Sequence, residues 1–419
     1  MKRYHASQSG PTSTPRPQNP RPDHHPKPTP VPQPSRQPMR GVRQKHVQTY
    51  MDIDYSILRK KAKPQAISDY TPAKTFAEHG LHTDIVESLT QKGYTQPTPI
   101  QDKAIGHIME SRDIIGIANT GTGKTAAFLL PLIHQVMHNY DKCILILAPT
   151  RELAMQIQKE LKTFTYANNR IHSSLIIGGE NIERQIDSLS KKRHFIIATT
   201  GRGLDLLEKG KLRIKEVDTI VLDEMDQMLD MGFIKDIQKI LARASNVKHM
   251  LFFSATMTRD IEKVANGLLK NPVTVSVVQG KTTDNVEQDV IEVKEGENKF
   301  EKLVELLSRP EVEKSIVFEN TKHGASKLEK ELVKRGFRAI AIHGNKSQNQ
   351  RIRALDSFKA SEVDILIATN VAARGLDIPL VSHVINYTLP NSTEDYIHRI
   401  GRTGRAGEIG HAYTFVPIS

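Results

Sequence analysis

The sequence DIIGIANTGTGKT occupies residues 113–125. Its first half is a short, continuous apolar run, which predicts a strand that is buried on both faces. Gly121 and Gly123 follow, and the residues after them show a helical pattern. A strand, a glycine-rich loop and a helix in this order surround an anion with backbone N–H groups and the positive end of a helix dipole. The stretch therefore predicts a phosphate-binding loop, in which Lys124 reaches the β- and γ-phosphates and the Thr125 hydroxyl ligates Mg²⁺. The strict pattern begins with glycine, whereas this loop begins with Ala118.

A second stretch, VLDEMDQMLDMGF at residues 221–233, places Asp223, Glu224 and Asp226 directly after an apolar run. Carboxylates so close together in the sequence repel one another, but a bound divalent cation offsets that electrostatic repulsion. A phosphate-bound Mg²⁺ needs a carboxylate from a neighbouring strand, and Asp223 can supply it directly or through water. Glu224 can then orient and deprotonate an attacking water. Together the two stretches predict an ATP-hydrolysing site that uses Mg²⁺.

Strand-like apolar runs alternate with helical periods from about Phe76 onwards, and the rhythm restarts after residues 277–285. Continuous apolar strands are typical of parallel sheets covered by helices on both faces. The predicted strands are 113–119, 143–149, 195–200, 219–224 and 250–256, and then 314–320, 337–343, 364–369 and 383–387. The sequence therefore predicts an α/β protein with two doubly wound parallel-sheet domains and a short polar linker.

Charge and proline are concentrated at the N-terminus. Residues 1–48 carry nine Lys or Arg and one acid, so they contribute +8 of the formal net charge of +12 and leave +4 for the remainder. Eleven of the 22 prolines lie between Pro11 and Pro38. Such a segment cannot offset its ordering entropy, so we expect a disordered tail that tethers phosphate backbones by charge. A short amphipathic piece follows at residues 55–63.

Several classes of protein are disfavoured by composition. No apolar stretch approaches the ~20 residues that a membrane span needs, and no signal-peptide core is present, which predicts a cytoplasmic protein without membrane contact. A single cysteine, Cys143, excludes a disulfide within one chain and sits in an apolar run typical of a buried thiol. The seventeen histidines show no Cys/His spacing typical of a metal site.

Over roughly residues 71–419 the chain resembles the DEAD-box family of ATP-dependent RNA helicases. The resemblance rests on an ordered series of motifs, which makes it specific. Besides the two stretches above, the motifs are GYTQPTPIQ (93–101), PTRELA (149–154), Gly178–Gly179, ATTGR (198–202), SAT (254–256), IVFENTK (316–322), HGNKSQNQR (343–351), ATNVAARGLD (368–377) and HRIGRTGRAG (398–407). It implies two tandem RecA-like P-loop domains, at 71–280 and 285–419, after a disordered tail at 1–70.

The resemblance also assigns roles within the nucleotide site. Gln101 would hydrogen-bond the adenine edge, Phe76 would pack against the base, and Asp377 would contact the ribose. The implied nucleotide-binding residues are Phe76, Gln101, Ala118, Asn119, Thr120, Gly121, Thr122, Gly123, Lys124, Thr125, Gly375 and Asp377. The implied catalytic residues are Lys124, Asp223, Glu224, Arg402 and Arg405. Of these, the two arginines would reach the γ-phosphate from the second domain as arginine fingers do.

The resemblance also implies residues that face RNA and residues that couple the state of the bound ATP to domain closure. The RNA-facing residues are Pro149, Thr150, Arg151, Gly179, Thr199, Gly201, Arg202, Gly344, Gln348, Arg351 and Thr369. The coupling residues are Asp226, Ser254, Thr256 and His398. Contacts to the RNA backbone rather than to base edges imply little sequence specificity.

The chain departs from the family pattern at three positions of these motifs. Met225 stands where the family has alanine, and Thr200 and Gly203 replace the usual proline and leucine. Because side chains alternate faces along a strand, we expect Met225 to point away from Glu224 into packing. Activity should then survive the larger side chain. The chain also stops soon after the last motif, where relatives commonly continue into another helix, so the second domain is expected to have a less covered edge.

The leading hypothesis is a monomeric, RNA-dependent ATPase that separates short RNA duplexes or remodels RNA–protein complexes. Two alternatives belong to other classes. One is a DNA-directed helicase or translocase with the same cores, which the DEMD, GR and HRIGRTGR set disfavours. The other is an inert RNA clamp, which would be expected to lack Lys124, Glu224 or the arginines, and all of them are present.

Overall fold

The structure is a computed structural model that describes residues 55–63, 70–119, 121–277, 284–373, 381–404 and 408–418. The helices of the first domain are α1 (Thr83–Gln91), α2 (Pro99–Met109), α3 (Lys124–His138), α4 (Arg151–Phe164), α5 (Ile182–Ser190), α6 (Thr200–Glu208), α7 (Met225–Asp230), α8 (Ile234–Ala242) and α9 (Arg259–Leu268). Its strands are β1 (Ile114–Ile117), β2 (Ile144–Ala148), β3 (Ser173–Ile176), β4 (Phe195–Thr199), β5 (Thr219–Leu222), β6 (His249–Ser254) and β7 (Val273–Ser276).

The second domain repeats the alternation of strands and helices. Its helices are α10 (Lys299–Leu307), α11 (Lys322–Lys334), α12 (Gln348–Lys359), α13 (Asn370–Ala373) and α14 (Thr393–Ile400). Its strands are β8 (Val286–Lys294), β9 (Ser315–Phe318), β10 (Ala339–Ile342), β11 (Ile365–Ala368), β12 (His383–Asn386) and β13 (Gly410–Ile418). A short 3-10 helix, Tyr55–Leu58, precedes both domains.

Both sheets are parallel. The first has seven strands in the order β3-β4-β2-β5-β6-β1-β7, and the second has six in the order β10-β11-β9-β12-β13-β8. Every strand pair between named strands is parallel, for example β1 with β6, in which Ile114 faces Leu251. Separate apolar clusters cover the two faces of each sheet. The predicted pair of doubly wound α/β domains is confirmed.

The predicted strands are present, but each is shorter than its apolar run by one to three residues. The run 143–149, for instance, contributes β2 (Ile144–Ala148). Strands β3, β7, β8 and β13 were not predicted, because exposed or half-exposed positions interrupt their apolar patterns. The proposed domain limits of 71–280 and 285–419 remain predictions.

Residues 55–63 pack on the second domain, although they lie within the predicted tail of 1–70. Leu58 is fully buried in the same apolar cluster as Val286 and Phe318. Lys60 and Gln288 exchange backbone hydrogen bonds of 3.0 and 2.8 Å, and Lys60 Nζ donates to Asp284 Oδ1 over 2.6 Å. Burial of Leu58 offsets the entropy of ordering this piece. Residues 1–54, including the predicted charge tether, lie outside the described residues.

Replacing Leu58 with aspartate should release this segment from the second domain. Losing a buried leucine costs about 2–5 kcal/mol, and a buried unpaired carboxylate adds to that cost. We expect hydrogen exchange at the Lys60 and Gln288 amides to accelerate by at least about tenfold, since ~1.4 kcal/mol already corresponds to that factor. The control is Lys61→Asp, which changes an exposed side chain of the same segment. Unchanged exchange in the Leu58 variant would show that the leucine does not hold the segment.

Within the described part of the chain, none of the helices combines the length and apolar character needed to cross a membrane.

Candidate active site

The phosphate-binding loop connects β1 to α3. Gly121 and Gly123 have φ angles of 83° and 91°, a region that favours glycine. A side chain at Gly123 would also collide with the amide of Gln101. Lys124 is the first residue of α3, and its Nζ donates to the carbonyl of Ala118 over 2.8 Å. Asn119 and Thr122 lie within the loop, where the Thr122 hydroxyl donates to Asn119 O over 2.7 Å. Thr120 lies outside the described residues.

Asp223 and Glu224 lie just beyond the carboxyl end of β5. Glu224 has a φ of 55°, which is unusual for a residue with a side chain and marks a strained turn. Asp223 Oδ1 accepts the backbone N–H of Glu224 over 3.0 Å. The two residues are only 2% and 7% exposed, respectively. The pair is thus held in a fixed geometry away from solvent.

Burial controls the protonation of this pair. It raises the pKa of Asp223 to about 6, against the opposing charge of Lys124. It raises the pKa of Glu224 to about 7, and the neighbouring charge of Asp223 adds to the effect. Glu224 Oε2 is buried and has no hydrogen-bond partner in the described part of the chain. A buried acceptor of this kind, with a pKa near neutrality, suits a residue that takes a proton from water.

The oxygen atoms of Thr125 and Asp223 suit Mg²⁺, which prefers hard oxygen ligands and retains several waters. Among the described residues, no group of three or more His, Cys, Asp or Glu side chains could hold a metal ion. Two protein oxygens would leave the remaining positions around such an ion to water and phosphate. Thr125 and Asp223 line the same cavity.

A cavity of about 400 Å³ joins these elements. Its lining includes Phe76 and Gln101, residues of the phosphate loop, and the two acids Asp223 and Glu224. Gln101, which is predicted to hydrogen-bond the adenine edge, is fixed to the phosphate loop because its Nε2 donates to Gly123 O over 3.1 Å. Arg402, from the second domain, also lines the cavity and is 5% exposed. Gly375, Asp377 and Arg405 were predicted here and lie outside the described residues.

Met225 is the first residue of α7, and not a strand residue as expected. The strand ends at Leu222 because the chain turns through the left-handed conformation of Glu224. The side chain nevertheless packs as predicted: it is fully buried in the apolar cluster that contains Leu222 and Phe252. Thr200 is also fully buried, and its hydroxyl lies 3.7 Å from the sulfur of Met228.

Replacing Met225 with alanine should change ATP turnover by less than about tenfold and leave the metal requirement intact. The reason is that the side chain faces the core while the neighbouring acids face the cavity. The cost should appear as a loss of about 2–5 kcal/mol in unfolding free energy, as for other buried Met→Ala changes. Turnover with Mg²⁺ and Mn²⁺ and urea unfolding measure the two effects. An altered preference between the metals would contradict this arrangement of faces.

Asp226 connects the acidic stretch to the end of β6. Its Oδ2 accepts the backbone N–H groups of Ala255 and Thr256 over 3.0 and 3.2 Å. Ser254 ends β6 and is 3% exposed. His398, from the second domain, lines a cavity of about 80 Å³ together with Asp226 and Thr256. Three of the four predicted coupling residues, Asp226, Thr256 and His398, therefore line one cavity, and Ser254 lies two residues before Thr256.

The RNA-facing residues predicted in the first domain follow the carboxyl ends of β2, β3 and β4. Arg151 begins α4, and its guanidinium lies so close to Gly179 that a side chain there would collide with it. Gly179 has a φ of 80°, which gives a second reason for glycine. Arg202 Nη1 donates to Glu180 O over 3.4 Å. Thr150 and Thr199 are the N-cap residues of α4 and α6, and Gly201 lies in the first turn of α6, where free N–H groups favour phosphate. Pro149, which has no N–H, directly precedes Thr150.

The predicted residues of the second domain follow β10 and β11. Gly344 lies beside Lys322, and Thr369 directly follows β11 and is 7% exposed. Gln348 and Arg351 also contact the first domain: Gln348 Nε2 donates to Glu152 Oε1 and Arg351 Nη2 pairs with Glu152 Oε2, both at 2.9 Å. Glu152 is 6% exposed and was missed by sequence reasoning. Glu152 lies within the motif PTRELA (149–154), from which only Pro149, Thr150 and Arg151 were assigned a role.

A phosphate loop facing paired carboxylates, with a second-domain arginine in the same cavity, defines a two-domain P-loop ATPase. Sequence models described as "DEAD/DEAH box helicase" and "Helicase conserved C-terminal domain" match residues 98–264 and 298–407. The chain belongs to the DEAD-box family of ATP-dependent RNA helicases.

Named relatives agree with this assignment. The chain is 44% identical over 344 residues to the DEAD-box ATP-dependent RNA helicase CshA of Geobacillus kaustophilus (strain HTA426), which covers 82% of this chain and 73% of that protein. It is 40% identical over 361 residues to RhpA of Helicobacter pylori (strain B128), covering 86% and 73%. The ATP-dependent RNA helicase CshA of Listeria monocytogenes is 44% identical, and the chain spans 66% of its length.

Two solved structures share the fold. Dbp5 of S. cerevisiae, bound to RNA and ADP BeF3, superposes with a TM-score of 0.73 and 31% identity, covering 83% of this chain and 90% of that one. Mss116p, bound to ssRNA and AMP-PNP, gives a TM-score of 0.73 and 31% identity, covering 85% and 76%. Both domains are included in these superpositions.

Proposed function

We propose that this ATP-dependent RNA helicase separates short RNA duplexes locally, or remodels RNA–protein complexes, by closing its two domains on ATP and RNA. The observation that carries the proposal is the shared cavity, to which the first domain contributes the phosphate loop and acids and the second contributes Arg402. Hydrolysis would then depend on domain closure. RNA contacts on both domains would favour that closure and so stimulate the ATPase.

The proposed reaction is attack of water on the γ-phosphorus, with formation of one P–O bond and cleavage of the bond to the bridging oxygen of ADP. Glu224 would orient the water and accept its proton, while Lys124 and Arg402 would balance charge that develops on phosphate oxygens. Mg²⁺ held by Thr125 and Asp223 would neutralise part of the charge of the phosphates. Phe76 would stack on the adenine, and Gln101 would hydrogen-bond its edge.

The closed arrangement is supported by the contact of Glu152 with Gln348 and Arg351. Glu152 lies in the first turn of α4, and Gln348 and Arg351 lie in the first turn of α12. Residues at both helix starts are predicted to face RNA. Backbone N–H groups at helix starts and arginine side chains bind phosphates and not base edges. We therefore propose binding to single-stranded RNA with little sequence preference. Both halves of the site come from one chain, in keeping with a monomer. A cytoplasmic location is proposed with it, in keeping with Cys143, which is buried and unpaired.

The test compares RNA and DNA of the same sequence as activators, together with unwinding of a short RNA duplex. We expect ATP turnover to rise with RNA and hardly at all with DNA, and strand release to require ATP. Equal stimulation by DNA would favour a DNA-directed helicase or translocase. Tight RNA binding without ATP-dependent strand release would indicate an RNA clamp.

A further inference from the structure

Asp102 lies on α2, next to Gln101, and joins three donors from the segment that precedes α1. Its Oδ2 accepts the hydroxyl of Tyr70 over 2.5 Å and the backbone N–H of Ala73 over 2.8 Å. Its Oδ1 lies 3.1 Å from Nε2 of His79. The side chains of His79 and Asp102 are only 4% and 5% exposed. We call Tyr70, Ala73, His79 and Asp102 the Asp102 cluster.

The Asp102 cluster holds the turn that carries Phe76. Ala73 precedes Phe76 by three residues and His79 follows it by three, so one carboxylate fixes the segment on both sides. Within the turn, Thr75 N donates to Glu78 Oε2 over 2.7 Å, and Glu78 N donates to Thr75 Oγ1 over 3.2 Å. The turn is therefore closed by its own hydrogen bonds, and Asp102 ties it to α2. The Phe76 side chain, 4% exposed, lines the nucleotide cavity.

Near neutral pH the protonation states of Asp102, His79 and Tyr70 allow all the hydrogen bonds of the Asp102 cluster to form together. Although burial opposes it, the hydrogen bonds from Tyr70, Ala73 and His79 hold the pKa of Asp102 below its ordinary value. Burial lowers the pKa of His79, and burial together with Asp102 raises the pKa of Tyr70 to about 12. An ionised carboxylate thus accepts from a neutral phenol, a neutral imidazole and a backbone amide. Charge-assisted bonds of this kind are stronger and shorter than neutral ones.

We propose that Asp102 is a positioning residue for adenine binding, which acts by holding Phe76 against the base while its neighbour Gln101 bonds the phosphate loop. This inference rests on the proposed stacking of Phe76 on adenine. It gives α2 two functions at adjacent positions. Gln101 ties the helix to the phosphate loop, and Asp102 ties it to the stacking aromatic side chain.

The first experiment measures RNA-stimulated ATP turnover of the full chain carrying Asp102→Ala or Asp102→Asn. An aromatic stacking contact is worth a factor of about three to ten in affinity, so Asp102→Ala should raise KM for ATP by about that factor. The maximum rate at saturating ATP should fall by less than about twofold, because Asp102 bonds Tyr70, Ala73 and His79 and not the phosphate loop or the two acids. Asp102→Asn keeps an acceptor for Tyr70 and Ala73 and should restore most of the affinity. The control is Glu110→Ala, at an exposed acid at the end of the same helix. A fall in the maximum rate with unchanged KM, or an equal loss in the Asn variant, would overturn the proposal.

The second experiment asks whether Asp102 acts through Phe76. Phe76→Ala alone should raise KM for ATP by a similar factor, and adding Asp102→Ala to it should cause no further rise, because a residue that acts only through Phe76 has no effect once that side chain is removed. A further rise equal to that of the single Asp102 variant would overturn the positioning role. If Phe76→Ala raises KM but Asp102→Ala does not, only the inference fails. If Phe76→Ala leaves KM unchanged, the proposed stacking of Phe76 fails, and the inference fails with it.

Discussion

Glu224→Gln is expected to bind ATP about as well as the unmodified protein and to hydrolyse it about 10²–10⁴-fold more slowly, which is the usual contribution of a general base. The residue is 7% exposed, lines the cavity, and has one carboxylate oxygen without a hydrogen-bond partner in the described part of the chain. Glutamine has nearly the same shape but cannot accept the proton of the attacking water. Removing a negative charge beside Asp223 should not weaken binding of a polyphosphate.

The measurements are single-turnover hydrolysis at saturating RNA and equilibrium binding of a fluorescent ATP analogue. Because the nucleotide stays bound and uncleaved, the Gln variant should also dissociate from RNA more slowly in the presence of ATP. Glu208→Gln, the same change at an exposed site, serves as the control. Hydrolysis within a few-fold of the control would exclude Glu224 as the residue that activates water.

The fold could be predicted from the sequence where burial is complete on both sides. The strands of the sheet centres, such as β2 and β5, are uninterrupted apolar runs, and they were found. Strands β8 and β13 alternate buried with half-exposed positions, so the same criterion missed them. The predicted strand 219–224 ran two residues past the end of β5, and the direction of the Met225 side chain was argued from strand alternation, although Met225 begins α7. The turn between them depends on the left-handed backbone conformation of Glu224, which the residue type does not predict.

The site shows a similar division. Residues that act through a local motif, such as Lys124 and Gly123, could be predicted because a single loop defines their geometry. Glu152 and Asp102 could not, because their partners are 196 and 23 to 32 residues away in sequence. Leu58 lies before the first domain and packs in the second, and only the three-dimensional arrangement shows that. Long-range pairing of single polar residues leaves no periodic pattern in one sequence.

Arg402→Ala is expected to lower RNA-stimulated ATP hydrolysis by a factor approaching the ~10³–10⁵ that arginine fingers contribute in related GTPase settings. The residue belongs to the second domain, yet it lines the cavity that holds Lys124 and Glu224. Its positive charge is among the influences that favour the ionised form of Glu224, which places the two groups within electrostatic reach. Because the phosphate loop is unchanged, binding of ATP without RNA should change by less than about threefold.

Arg402→Lys distinguishes charge from geometry. Lysine keeps the positive charge but lacks the planar fork that can contact two phosphate oxygens, so it should recover only a small part of the lost rate. Arg353→Ala, at an exposed position of α12, should leave hydrolysis unchanged and controls for general loss of positive charge on the second domain. Hydrolysis should be measured over a range of RNA concentrations, so that slower chemistry at saturation is separated from weaker RNA binding. If Arg402→Ala raises only the RNA concentration needed for half-stimulation and keeps the saturated rate, Arg402 supports RNA-driven closure and does not act on the phosphate. Since the proposed closure would bring Arg402 to the nucleotide, loss of the saturated rate is the result that the shared cavity predicts.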